Sequence, residues 1–165
     1  MTTPQIYIAS LEAYNAGKLI GEWVDADCQS TIEDAIESLP GEEWAIHDFE
    51  DMPNLGENPS LDLVVGIAEC VNGHGLDIVN AWVGLVGLHW LSGMDAHDIV
   101  SALDDTLYGT YESVEDFGYE QAGALGLPQT PEVEWYFDFE AYGRDCLDSH
   151  SYSDLGNGRI AVFFN

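Results

Sequence analysis

Positively charged side chains are almost absent from this chain of 165 residues. It has 3 Lys plus Arg against 31 Asp plus Glu, which gives a formal net charge of −28 at pH 7. Because proteins bind phosphate groups mainly with Lys and Arg, this composition excludes nucleic acid and anionic membranes as ligands. The partners that remain are cationic, namely basic proteins or metal ions.

Cysteines and long apolar runs are also scarce. The three cysteines are far apart and form no CxxC motif, so neither a disulfide framework nor a zinc site is predicted. The longest apolar stretch, residues 76–91, is too short to span a bilayer and is interrupted by Asp77. The N-terminus lacks the basic and apolar segments of a signal peptide. We therefore expect a soluble protein in the reducing cytoplasm.

The motifs of common enzymes are missing as well. The sequence has no GxGxxG, GxSxG or HExxH pattern. Its single lysine, Lys18, does not belong to a Walker A motif, because Glu12 stands where that motif needs its first glycine. Asp51, Asn54 and Glu57 are three residues apart rather than two, so they do not form an EF-hand loop. We predict no catalytic residue, no cofactor and no metal site.

Enough apolar residues are present for a folded core. They make up 46% of the chain, with five Trp, eight Tyr and six Phe, so disorder is not expected despite the charge. The first 60 residues have the pattern of a small α+β domain. Its predicted elements are strands at 5–11, 18–25 and 42–49, and a helix at 30–39 capped by Ser30.

The rest of the chain predicts two further small domains. Residues 50–60 are rich in turn formers and form the best linker candidate. Residues 61–103 are predicted to be a helical middle domain, and residues 104–165 a second α+β domain. The predicted middle helices cover 61–71, 76–91 and 95–105; the last domain has strands at 106–112 and 159–164 and helices at 113–125 and 132–148.

The segment 132–148 carries the most informative pattern. As one helix it would place four carboxylates on a single face, over about 21 Å: Glu134, Asp138, Asp145 and Asp148. A neighbouring stripe is aromatic and suited to burial: Trp135, Phe139, Tyr142 and Cys146. Gly143 is the position where such a helix would end early. Like charges one turn apart destabilise a helix slightly, so these unpaired carboxylates are either tolerated or used.

The charge of the whole chain has a specific physical counterpart. Duplex DNA carries one negative charge per about 1.7 Å, so the same charge would occupy roughly 48 Å of duplex. A compact chain of this length has a radius of gyration of roughly 15 Å. The linear charge densities are therefore comparable, and a basic groove built for DNA is a possible binding site for this protein.

Five short motifs occur in order along the chain. They are QIYIAxL from Gln5, YNxGxLxGxW from Tyr14, ExAIHD from Glu43, GALG from Gly123 and AYGRD from Ala141. With these motifs the chain resembles the ArdA antirestriction family over essentially its whole length. We interpret His47 and Arg144, which lie in two of the motifs, as structural residues, with Arg144 paired to a neighbouring carboxylate.

The resemblance implies a function without catalysis. ArdA proteins are carried by mobile elements, mimic B-form DNA and occupy the DNA-binding groove of type I restriction–modification enzymes, where they block restriction and often modification. The family fold implies three small domains in an elongated chain with an acidic surface, paired into a homodimer. The alternative is a salt-adapted or divalent-cation-binding acidic protein without DNA mimicry.

The family supplies no catalytic residue, so the predicted site is a set of exposed carboxylates. Those nominated to stand in for phosphates are Asp48, Glu50, Asp51, Asp104, Asp105, Glu112, Glu115, Asp116, Glu120, Glu134, Asp138, Asp145 and Asp148.

Overall fold

The chain folds into two compact units, Met1–Leu103 and Asp104–Asn165. The structure, a computed structural model, describes residues 2–165. Each unit contains a three-stranded antiparallel sheet together with helices, which confirms the predicted α+β class. A further division of the first unit near residue 60 stays a prediction.

The sheet of the first unit forms from the N-terminal half of the chain. Its strands are β1 (Gln5–Ser10), β2 (Gly21–Asp25) and β3 (Trp44–Glu50), in the order β2-β1-β3. The side chains of Ile6 and Ile8 on the central strand are fully buried. Two helices interrupt the strands: α1 (Leu11–Asn15) and α2 (Gln29–Ser38). The predicted cap of α2 at Ser30 is wrong, because the helix begins two residues earlier and Cys28 is its N-cap residue.

Helices fill the rest of the first unit. They are α3 (Leu61–His74), α4 (Leu76–Val86), α5 (Leu88–Leu91) and α6 (Ala96–Thr106), which runs three residues into the second unit. The predicted single helix over 76–91 is wrong, because Gly87 adopts a φ of 82° and ends α4 there. The apolar stretch 76–91 is only partly a core element, since Trp82 and Leu91 are buried, whereas Leu85 and Trp90 are exposed.

The second unit packs helices against its own sheet. The strands are β4 (Leu107–Tyr111), β5 (Ser151–Gly156) and β6 (Arg159–Phe163), in the order β4-β6-β5. The helices are α7 (Val114–Ala124), α8 (Pro131–Glu134) and α9 (Phe139–Leu147). The core consists of Phe117, Leu147, Ile160 and Val162. Strand β5 was not predicted from the sequence.

The predicted continuous helix over 132–148 is wrong. Its residues form α8 and α9, separated by a turn at 135–138. Asp138 causes the break, because its carboxylate accepts a hydrogen bond of 2.9 Å from the backbone N–H of Ala141 and caps α9. Trp135 therefore does not belong to a buried stripe, and its side chain is 88% exposed.

Gly143 has the opposite role from the one predicted. It does not end α9 but lies buried in the middle of it, where α9 crosses α7 at Gly118. A Cβ atom added to Gly143 would lie 2.9 Å from the backbone nitrogen of Gly118 and would clash with the carbonyl of Val114. The two glycines allow the two backbones to pack directly against each other.

Candidate partner-binding surface

The acidic side chains are on the surface of both units. None of the 31 Asp and Glu residues is buried in the described part of the chain, and only Asp27 and Asp51 are half-buried. Twelve of the thirteen predicted carboxylates are exposed, and Asp51 is the exception. Because exposed carboxylates keep their hydration, they remain charged and available to a cationic partner.

The first group of predicted carboxylates lies at the end of β3. Asp48 and Glu50 pair with Tyr7 and Gln5 of β1, on the side of the sheet opposite the buried isoleucines. A register shift in this ladder leaves His47 as an extra, bulged residue. Without the bulge, Asp48 would share a face with buried Ile46, since side chains alternate along a strand.

The second group belongs to α7 and the residues that flank it. Glu115 and Asp116 lie in the first turn of α7, where a negative charge is favourable next to the helix N-terminus. Glu120 is one turn further along the helix. Burial, followed by a hydrogen bond to Glu120, raises the pKa of Tyr111. The other members of this group are exposed at the end of α6 and before α7: Asp104, Asp105 and Glu112.

The third group does not form the predicted single stripe. Glu134 is on α8, whereas Asp145 is on α9 and Asp148 is the residue that follows α9. Asp138, between the two helices, has a structural function as the cap of α9 in addition to its charge. The structure keeps these four carboxylates exposed but places them on different elements.

The arginines of the second unit are engaged with carboxylates. Arg144 forms a 2.8 Å ion pair with Glu140, one turn earlier on α9, which agrees with its predicted structural role. Arg159 lies 3.9 Å from Glu112. Both contacts are solvent-exposed, so each contributes at most about 1 kcal/mol of stability. They neutralise only a small part of the negative charge.

A cleft of about 510 Å³ lies among these carboxylates. Its lining is partly aromatic and partly acidic: Glu115, Pro131, Glu134, Trp135, Phe137 and Phe139. Sequence reasoning missed this feature, because it assigned Trp135 to a buried helix stripe. The signal that could have found it is Asp138, a strong N-cap residue in the middle of the proposed helix.

Three further features of the described residues concern other kinds of site. Within residues 2–165, no group of three or more His, Cys, Asp or Glu side chains could hold a metal ion. None of the helices there combines the length and apolar character of a membrane span. Cys28 is exposed, and a hydrogen bond with the side chain of Ser30 is the main cause that lowers its pKa to about 7.

Comparison with known families supports the motifs found in the sequence. The chain matches the sequence model of the antirestriction protein ArdA over residues 6–160. It belongs to the ArdA antirestriction family. Membership in the ArdA family makes antirestriction the general function of this chain, and the match covers both compact units. No curated protein matches this member of the ArdA family.

The motifs that carry the ArdA resemblance build the scaffold of this family member. His47 is the bulged residue of β3 and stacks edge-on against Tyr14, with 5.1 Å between the ring centroids. Gly143 lies at the crossing of α7 and α9, and Arg144 pairs with Glu140. These motif residues position the carboxylates, and the acidic side chains themselves are spread over both units.

Proposed function

We propose that this ArdA protein mimics DNA and occupies the DNA-binding groove of type I restriction–modification enzymes, where it blocks restriction. The observation that carries the proposal is that none of the Asp and Glu side chains in the described residues is buried. A net charge of −28 is presented with almost no counter-charge from Lys or Arg. Such a surface attracts a groove that has evolved to neutralise phosphates.

The decisive experiment is displacement of a fluorescent cognate duplex from the methyltransferase core of a type I enzyme. Titration with this protein should release the duplex stoichiometrically, and the apparent affinity should fall steeply as salt increases. If excess protein releases no duplex even at low salt, DNA mimicry is wrong.

The location of the binding surface is tested by a fourfold variant: Asp116→Asn, Asp138→Asn, Asp145→Asn and Asp148→Asn. Each single change should weaken inhibition at most about fivefold, because an exposed ion pair contributes about 0.2–1 kcal/mol. The four together should weaken it about tenfold or more and flatten its salt dependence.

The matched control removes four exposed charges outside the predicted surface: Glu12→Gln, Asp34→Asn, Glu37→Gln and Glu42→Gln. This control should inhibit nearly as well as the wild type. Equal loss in both variants would show that the surface is wrongly placed. Complete loss from one Asp→Asn change would contradict a distributed mimic.

A homodimer is part of the proposal, because the family resemblance implies it. Light scattering coupled to size-exclusion chromatography should give about twice the chain mass of 18.1 kDa. A single-chain mass at micromolar concentration would contradict the dimer without affecting the mimicry.

The alternative, a salt-adapted or cation-binding protein, makes a different prediction. Calorimetric titration with Ca²⁺ or Mg²⁺ at physiological ionic strength should show a saturating, stoichiometric site if cation binding is the function. Weak, diffuse binding is the result expected for a DNA mimic.

A further inference from the structure

The cleft between α7 and α8 differs from the rest of the acidic surface because it combines charge with aromatic walls. Glu115 and Glu134 supply exposed carboxylates at its edge, whereas Trp135, Phe137 and Phe139 supply ring surfaces. Its volume of about 510 Å³ lies within the range of ordinary ligand sites. Attraction of a cationic partner by distributed carboxylates does not require a cleft.

The aromatic part of the cleft lining is held in place by packing between rings. The ring centroids of Phe137 and Phe139 are 4.7 Å apart, and those of Phe139 and Tyr119 are 5.0 Å apart. Phe137 also packs edge-on against Tyr142 at 5.6 Å. The cap at Asp138 fixes the backbone between the two phenylalanines. A preformed site loses little conformational entropy when it binds a ligand.

Trp135 is the unexplained residue of this cleft. The residue is 88% exposed, although a tryptophan side chain gains more from burial than almost any other. Indole is also the best aromatic acceptor for a cation. A tryptophan that lines the same cleft as two glutamates and remains exposed is suited to contact a cationic partner.

We infer that this cleft binds an arginine side chain of the partner protein, stacked on Trp135 and paired with Glu115 or Glu134. Guanidinium is planar, stacks on aromatic rings and donates to a carboxylate in a bidentate manner, whereas the ammonium of lysine is a compact point charge. The inference rests on the proposed function and deepens it. The proposed contact is short-range and specific for arginine. It adds to the long-range attraction between the acidic surface and the partner, which does not distinguish lysine from arginine.

The first test compares Trp135→Ala with Tyr136→Ala in the duplex-displacement assay at several salt concentrations. Tyr136 is an ideal control because it is adjacent, 90% exposed and not part of the cleft lining. Trp135→Ala should weaken inhibition about 3- to 30-fold, which is the range of a cation–π contact. Since no charge is removed, the slope of affinity against salt should remain that of the wild type. Tyr136→Ala should stay within about twofold of the wild type.

Equal inhibition by Trp135→Ala and the wild type would overturn the inference but leave DNA mimicry intact. A Trp135→Ala variant that inhibits normally but loses the dimer would assign the cleft to a second copy of the chain, and would also overturn it. Both variants change exposed side chains, so their melting temperatures should match that of the wild type.

The second test needs no restriction enzyme, so it separates this inference from the proposed function. Heteronuclear NMR would follow the indole N–H signal of Trp135, assigned by its loss in Trp135→Phe. N-acetyl-arginine amide should shift this signal saturably, and the shift should disappear in the Glu115→Gln, Glu134→Gln double variant. N-acetyl-lysine amide has the same charge and should shift it much less. Equal shifts with both compounds, or none with either, would overturn the arginine site.

Discussion

At the scale of single residues, Gly143 shows how closely the second unit is packed. We predict that Gly143→Ala lowers the free energy of unfolding by about 1–3 kcal/mol, because the new methyl group overlaps the backbone of α7. The higher helix propensity of alanine, about 1 kcal/mol, does not compensate for this overlap. Thermal or urea unfolding followed by circular dichroism measures the change.

Gly123→Ala provides the matched control for Gly143→Ala. Gly123 is also a helical glycine of the second unit, but a Cβ atom there meets no atom within 4 Å. This variant should be as stable as the wild type or more stable by up to about 1 kcal/mol. If Gly143→Ala were equally stable, α7 and α9 would not cross as closely as the structure shows.

The reactivity of the three cysteines gives a second prediction at this scale. The pKa of Cys28 is lowered to about 7, so about half of its thiol is ionised at pH 7, and the thiolate is the nucleophile. Cys70 is buried. We expect iodoacetamide to label Cys28 first, with a rate that rises to a plateau above about pH 7. Peptide mass mapping measures the order, and initial labelling at Cys70 would contradict the predicted environment.

At the scale of secondary-structure elements, α9 depends on a residue that also carries surface charge. Asp138→Ala removes the N-cap and should destabilise the protein by about 1 kcal/mol. Asp138→Asn removes the same charge but keeps a good cap, so it should remain close to the wild type in stability. Chemical unfolding of both variants separates the two functions of this side chain. Equal destabilisation by Asn and Ala would mean that the charge, and not the cap, stabilises α9.

The predicted elements are specified by their own residues, whereas the strand that was not predicted depends on pairing with a neighbouring strand. Strands β1, β3 and β6 follow from runs of β-branched and aromatic residues, and α7 follows from its cap at Ser113. Strand β5 has no such run, because its sequence SYSDLG is exposed on one face and only half-buried on the other. It becomes a strand by pairing with β6 across the turn at Asn157 and Gly158.

The candidate surface was predictable in composition but not in arrangement. Exposure of the carboxylates follows directly from the cost of burying a charge. Their distribution over α8, the Asp138 turn and α9 does not follow from helical periodicity. The predicted single helix is broken at Asp138, which caps the N-terminus of α9. The bulge at His47, which turns Asp48 to the exposed side, depends on pairing between β1 and β3 that no local pattern reveals.

At the scale of the whole molecule, both units are acidic in their own right. The first contains 18 Asp and Glu with Lys18 as its only Lys or Arg, and the second contains 13 with two arginines. Neither unit can balance its charge internally, so repulsion opposes compactness in each of them. This repulsion is the cost in stability that accompanies the proposed attraction to a basic groove.

Salt should therefore stabilise this protein while it weakens its proposed complex. Raising NaCl from about 10 to 150 mM shortens the screening length from about 30 to 8 Å, which reduces repulsion between carboxylates on one surface. We expect the melting temperature to rise by several degrees over this range, and affinity for the methyltransferase core to fall. The fourfold Asp→Asn variant should show a smaller rise, since it has fewer like charges to screen. A melting temperature that falls over the same range would mean that favourable charge pairs, and not repulsion, dominate the folded state.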